Sequence, residues 1–228
     1  VDHSTWSSIS CNIITCMVTP SEHVQEQLQP LCEPIHKALE FGVGKEKECR
    51  SSYGLDKQTY DYLGIHMARA FAHSWLAKHA DDLGGWQLAG KHSRNGELWL
   101  RQGMTRLRML HTRSPSDVPE AGPNEARKLY FRNLPLEGLP EQATFEELEA
   151  SKLLGLWRVA PQTGEVTVRI ARTIRASRCG SRFPVDVHFQ LPRAADDLAN
   201  AAWMPDDSGI LFDDEKEEGE DDAGGFLG

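Results

Sequence analysis

Arginine is the residue whose type and spacing first suggest chemistry in this chain. From Val166 to Arg182 the sequence reads VTVRIARTIRASRCGSR, placing Arg169, Arg172, Arg175, Arg178 and Arg182 in one run without a carboxylate. Arg101, Arg106, Arg108 and Arg113 form a second acid-free group. Guanidinium groups stay charged at physiological pH and match the geometry of phosphate oxygens. The pattern predicts an anion-facing surface. Its nucleic-acid contacts would be Arg106, Arg108, Arg169, Arg172, Arg175, Arg178 and Arg182, with DNA or RNA as partner. The plainer alternative is that these arginines solvate exposed strand faces.

Other chemistry is sparse. The chain has no GxxxxGK[ST], HExxH, GxSxG or CxxC, so phosphate loops, zinc-protease helices, nucleophile elbows and paired-thiol motifs are absent. Gly42-Val43-Gly44 lacks the third glycine and the preceding strand of a dinucleotide fingerprint, and reads as a helix end. Cys32 belongs to an apolar stripe and is a core residue. Cys179, between Arg178 and Arg182, is the thiol in the most electropositive setting. His66 and His73 share a helix facet with Tyr62 and Arg69, but two turns (~10 Å) separate them, too far to grip one ion. Glu33, His36 and Glu40 share another face. A single Glu-x-x-His is half of a carboxylate-bridged dimetal site, and its other half is not identifiable. The expectation is no catalytic residue, no metal and no cofactor.

Charge is unevenly distributed along the 228 residues. Residues 195–228 hold 12 acidic side chains against Lys216, a net −11, while the rest of the chain carries +2. An acidic pI therefore does not argue against an anionic partner for the body. No apolar run approaches the ~20 residues of a membrane span. Five irregularly spaced cysteines exclude a disulfide-framed mini-domain.

The elements that must position these side chains follow from periodicity. Residues 1–16 differ in composition from everything after them and read as a disordered or mis-annotated extension, with Met17 as the expected translation start. Thr19, Pro20 and Glu22 make a helix start. Val24, Leu28, Leu31, Cys32, Ile35 and Leu39 continue it, interrupted at Pro30 and Pro34 and closed at Phe41–Gly44. KEKECRSSYGL reads as loop. Asp56 opens a second helix to about Ala80, with Tyr60, Leu63, Met67, Ala70, Phe71, Ser74 and Trp75 as its core face.

Alternation then replaces helical period. Strands around Trp86–Leu88, Leu98–Leu100 and Thr105–His111 form one antiparallel meander, with a turn at Ser93–Gly96. Asn124–Asn133 forms a short helix, and Thr144 caps another. Strands at 153–159, 166–174 and 185–191 form a second meander.

The predicted fold is α+β: N-terminal helices, two antiparallel three-stranded meanders and a disordered acidic C-terminal tail. A single domain spans 17–194, with helices in 19–82, a meander in 86–112, a connector in 113–143 and the second meander in 153–191. The tail is 195–228. The function this predicts is a non-catalytic, cytoplasmic, bacterial regulatory protein. It contacts nucleic acid through an Arg-bearing sheet, with the tail as internal competitor. Alternatives are an adaptor that uses the tail as ligand for a basic partner, and an enzyme with its site on the Tyr62, His66, Arg69, His73 facet.

Overall fold

A computed structural model describes residues 20–93, 96–116, 118–119, 125–133, 151–174 and 184–200. Pro20 opens helix α1 (Pro20–Leu28), where its missing N–H breaks no hydrogen bond. At Pro30 the chain tightens to a 3-10 turn, Gln29–Leu31, and restarts as α2 (Cys32–Ser52). The interruption expected from the prolines is present, with Pro34 tolerated in the first turn of α2.

The expected stop at Phe41–Gly44 is not there. Helix α2 runs through both glycines and through KEKECRSS, which had read as loop. Gly42 serves packing: a Cβ on it would stand 2.2 Å from the Ala68 carbonyl oxygen. Its bare backbone lets α2 meet α3 (Lys57–Lys78) closely. Beyond it, Arg50 Nε donates to Glu46 Oε1 at 2.6 Å, an i,i+4 pair that supports the polar half of the helix.

Asp56 caps α3 by accepting the Thr59 N–H at 2.8 Å, which holds the Asp56 carboxyl below its usual range. The core stripe of α3 is displaced from the one expected. Ala68, Ala72 and Leu76 are buried, whereas Leu63, Met67 and Phe71 are only partly covered. Small side chains line the seam because α2 lies against it, and the bulky ones are pushed to its flanks.

Strands β1 (Gln87–Ala89), β2 (Leu98–Gln102), β3 (Thr105–His111), β4 (Lys152–Val159), β5 (Val166–Thr173) and β6 (Val185–Gln190) form one sheet in sequential order. Both three-stranded antiparallel runs exist, but they are not separate meanders. β3 and β4 pair in parallel, from Arg106↔Lys152 to His111↔Trp157, and fuse them into a mixed six-stranded sheet. Parallel neighbours require a crossover, and the segment carrying α4 (Glu125–Tyr130) provides it.

The fold is thus α+β, layered on the sheet. The larger core joins α1, α2 and α3 to Leu100, Leu107, Trp157, Val168 and Phe189. A smaller cluster on the other face, Leu110, Leu154, Leu156 and Ala171, is closed by Tyr130 and Phe131. The Tyr130 hydroxyl reaches the Leu153 carbonyl at 2.8 Å and the Arg106 carbonyl at 3.0 Å, pinning α4 over the parallel pair. Ala195–Asn200, assigned by charge to the tail, form a 3-10 turn whose Leu198 is buried in the larger core.

The expectations for residues 1–16, for the Thr144 helix and for the tail from 201 onward lie outside the described residues. Among the described residues no helix is long and apolar enough to cross a membrane.

Candidate nucleic-acid interface

Of the arginines in the Val166–Arg182 run, the structure describes two, and neither faces solvent. Arg175, Arg178 and Arg182 lie outside the described residues. Arg169 and Arg172, read as exposed strand residues, are buried, at 6% and 4% exposure. Arg169 Nη1 donates to the Ser116 carbonyl at 2.8 Å and to His188 Nε2 at 2.8 Å. Its Nη2 reaches the Ser114 carbonyl. It is a pin that fastens the segment after β3 to the far face of the sheet. Arg172 is held by Asp186 across the β5–β6 pair. Both guanidiniums are consumed in holding the fold.

Arg106 is exposed. Arg108 is half-buried with its guanidinium over the Trp99 ring, 5.1 Å from the centroid, and burial pushes its pKa down. Arginines are placed here by strand alternation, but a sheet covered by the crossover leaves few of them free.

Cations do gather elsewhere. An open cleft of about 430 Å³ lies where α2, α3 and the carboxyl ends of β3 and β4 meet. Parallel pairing brings those two ends to the same edge of the sheet. Val43, Ile65, Ala68 and Val159 supply apolar walls. His111 and Trp157, partners in register, meet edge to face with ring centroids 4.7 Å apart. Burial, with Arg113 and Arg69 nearby, lowers the His111 pKa, so the ring is neutral at pH 7. The Trp157 Nε1–H is buried and has no hydrogen-bond partner; leaving a donor unpaired costs about 1–3 kcal/mol.

The rim carries Lys47, Arg50, Lys57, Arg113 and Arg158 against Glu46 and Asp61. Arg50 and Glu46 neutralise each other, with Arg50 Nη2 2.5 Å from Glu46 Oε1. Gly64 makes room for that pair, since a Cβ there would stand 2.7 Å from Arg50 Nη2. Arg113 and Asp61 form a loose exposed contact at 3.7 Å. Among the described residues Lys47, Lys57 and Arg158 form no ion pair. Three net positive charges therefore face one opening. No known protein family, curated protein or solved structure matches the chain.

The remaining sequence candidates are occupied otherwise. On α3, Arg69 Nη2 donates to His66 Nδ1 at 3.1 Å, and His73 stacks on His92 at 4.2 Å. Glu33 pairs with Lys37 and Glu40 with Arg193, while His36 is buried with its Nε2 3.0 Å from the Leu191 carbonyl. Among the described residues no three metal-ligating side chains converge. Cys32 is fully buried, and burial pushes its thiol up to about 11. The cleft residues were missed because they come from four elements, and Lys47 sits in the stretch taken for loop. Only Arg113 had drawn notice.

Proposed function

We propose that the protein is a non-catalytic interaction protein that contacts the phosphates of a nucleic acid. Its contact surface is the cationic cleft between α2, α3 and the β3–β4 edge. The observation that carries this reading is the excess of unpaired cations, Lys47, Lys57 and Arg158, around an opening whose two carboxylates are already matched by Arg50 and Arg113. Neutralising phosphates supplies affinity that does not depend on base sequence.

The acidic tail acts as an internal competitor for the same cations. Its root favours this. Arg193 bridges Glu165 at 3.6 Å, and a Cβ on the adjacent Gly164 would stand 3.6 Å from Lys47 Nζ. A ligand joined to its site by a tether of a few tens of residues acts at an effective concentration of roughly millimolar order.

Fluorescence anisotropy with labelled oligonucleotides across 50–200 mM salt tests the proposal. Binding should weaken steadily with salt, and Lys47→Glu, Lys57→Glu or Arg158→Glu should each weaken it and flatten the salt slope by roughly one unit. Affinity unchanged in all three variants would move the interface elsewhere.

A further inference from the structure

The cleft has an apolar interior that contacts with backbone phosphates leave uncovered. Val43 and Ile65 wall it from the helices, and Val159 and Pro161 wall it from the end of β4 and the turn that follows. The His111 and Trp157 rings, edge to face at 4.7 Å, complete the lining. A nucleic-acid strand held at the rim would leave these walls in water, where apolar surface is unfavourable. At about 430 Å³, the opening falls within the size range of pockets that enclose small molecules, which combine apolar walls with a few placed polar groups. His111 is such a group. Its ring is half-buried and forms no hydrogen bond among the described residues, which leaves it available to an occupant.

Charge at the mouth sets the class of that occupant. Glu46 and Asp61 are matched by Arg50 and Arg113, so Lys47, Lys57 and Arg158 remain beside the apolar walls. A phosphate monoester carries about −1.5 to −2 charge at neutral pH, more than a single carboxylate supplies. We infer that the cleft is a receptor site for a small organic phosphate monoester: its phosphate meets Lys47, Lys57 and Arg158, its apolar body of one or two rings lies between Ile65 and Val159, and His111 bonds its polar edge. This goes beyond the proposed nucleic-acid contact and does not depend on it, although the two ligands share the same cations.

Isothermal titration calorimetry of the full chain at low salt tests this with three probes: naphthyl phosphate, naphthol and inorganic phosphate. Naphthyl phosphate should bind about tenfold tighter or more than either of the others, since burying the ring system and pairing the charge each contribute at least that much. Lys47→Ala with Lys57→Ala should weaken naphthyl phosphate by about tenfold or more and leave naphthol unchanged, because both side chains are exposed and neither walls the interior. The His111 ring signals in the NMR spectrum, assigned by their loss in His111→Gln, should shift on saturation with naphthyl phosphate. Naphthyl phosphate binding no tighter than inorganic phosphate, equal binding of naphthol, full affinity in the double lysine variant or unmoved His111 signals would each overturn the inference. A labelled oligonucleotide titrated in parallel separates the two readings. If it binds and naphthyl phosphate does not, the receptor site falls and the proposed function stands; the reverse result removes the proposed function alone.

Discussion

Gly42 and Gly44 lie two residues apart in the same helix, and the same substitution at each should act in opposite directions. Replacing a mid-helix glycine by alanine gains about 0.5–1 kcal/mol, mainly by restricting the unfolded chain. Gly44 has nothing within 4 Å of its would-be Cβ, so Gly44→Ala should realise that gain. At Gly42 the new methyl would stand 2.2 Å from the Ala68 carbonyl oxygen and 3.2 Å from the Ala72 nitrogen. Both are backbone atoms, which cannot rotate away, so α2 and α3 must separate. Overpacking of this kind costs about 1–3 kcal/mol, leaving Gly42→Ala net destabilised by roughly 1–2 kcal/mol once the propensity gain is set against it.

The two variants should therefore differ by about 2–3 kcal/mol, or roughly 5–10 °C in midpoint for a chain of this size. Urea unfolding followed by tryptophan fluorescence measures the gap, with thermal melts as a second reading. Because α2 and α3 wall the cleft, Gly42→Ala should also weaken oligonucleotide binding, while Gly44→Ala should not. Two variants of equal stability, or a stabilised Gly42→Ala, would refute the close helix contact and the reason given for α2 continuing through its glycines.

The buried arginines should report on folding rather than on binding. Asp186→Asn, which leaves the Arg172 guanidinium without its carboxylate, should lower stability by about 3–5 kcal/mol, whereas Arg106→Ala on the exposed strand face should change it by less than about 0.5 kcal/mol. Stability should also fall as pH drops. Burial depresses the His36 pKa below its ordinary 6.5, and the Nε2–H donates to the Leu191 carbonyl while Nδ1 has no partner. Below about 6.5 the unfolded chain then binds the proton more readily, so unfolding free energy should decrease from pH 7 to 5, and His36→Gln should flatten that slope in urea titrations. Removing residues 205–228 should tighten oligonucleotide binding at low salt, and the gain should shrink as screening rises; an unchanged affinity would end the competitor role of the tail.

The elements most legible in sequence were those with a strong local signal. Asp56 announced α3 by its cap, and the alternation of Leu107 and Met109 with Arg106 and Arg108 gave β3 its two faces. The parallel pairing of β3 with β4 was not legible, because nothing in either strand states its partner across a crossover of some forty residues. The course of α2 was misread for a related reason. Glycine favours helix ends by propensity, and only the position of Ala68 on another element shows that Gly42 belongs inside.

The arginine run illustrates why composition located charge but not the interface. In a strand, alternate residues face opposite ways, so arginines at 169 and 172 had to face a layer of protein wherever that sheet is covered on both sides. Helices cover one face and the crossover covers the other, and buried guanidiniums persist there only because Ser114, Ser116, His188 and Asp186 meet them. Among the described residues, the cleft cations that no carboxylate pairs are Lys47 late in α2, Lys57 at the start of α3, and Arg158 at the end of β4. They share no sequence segment and meet only because β3 and β4 end on the same edge, below the α2–α3 hairpin. A binding surface assembled by topology leaves no motif, and here it is the unpaired charges around one opening, rather than the density of arginine in the chain, that carry the functional reading.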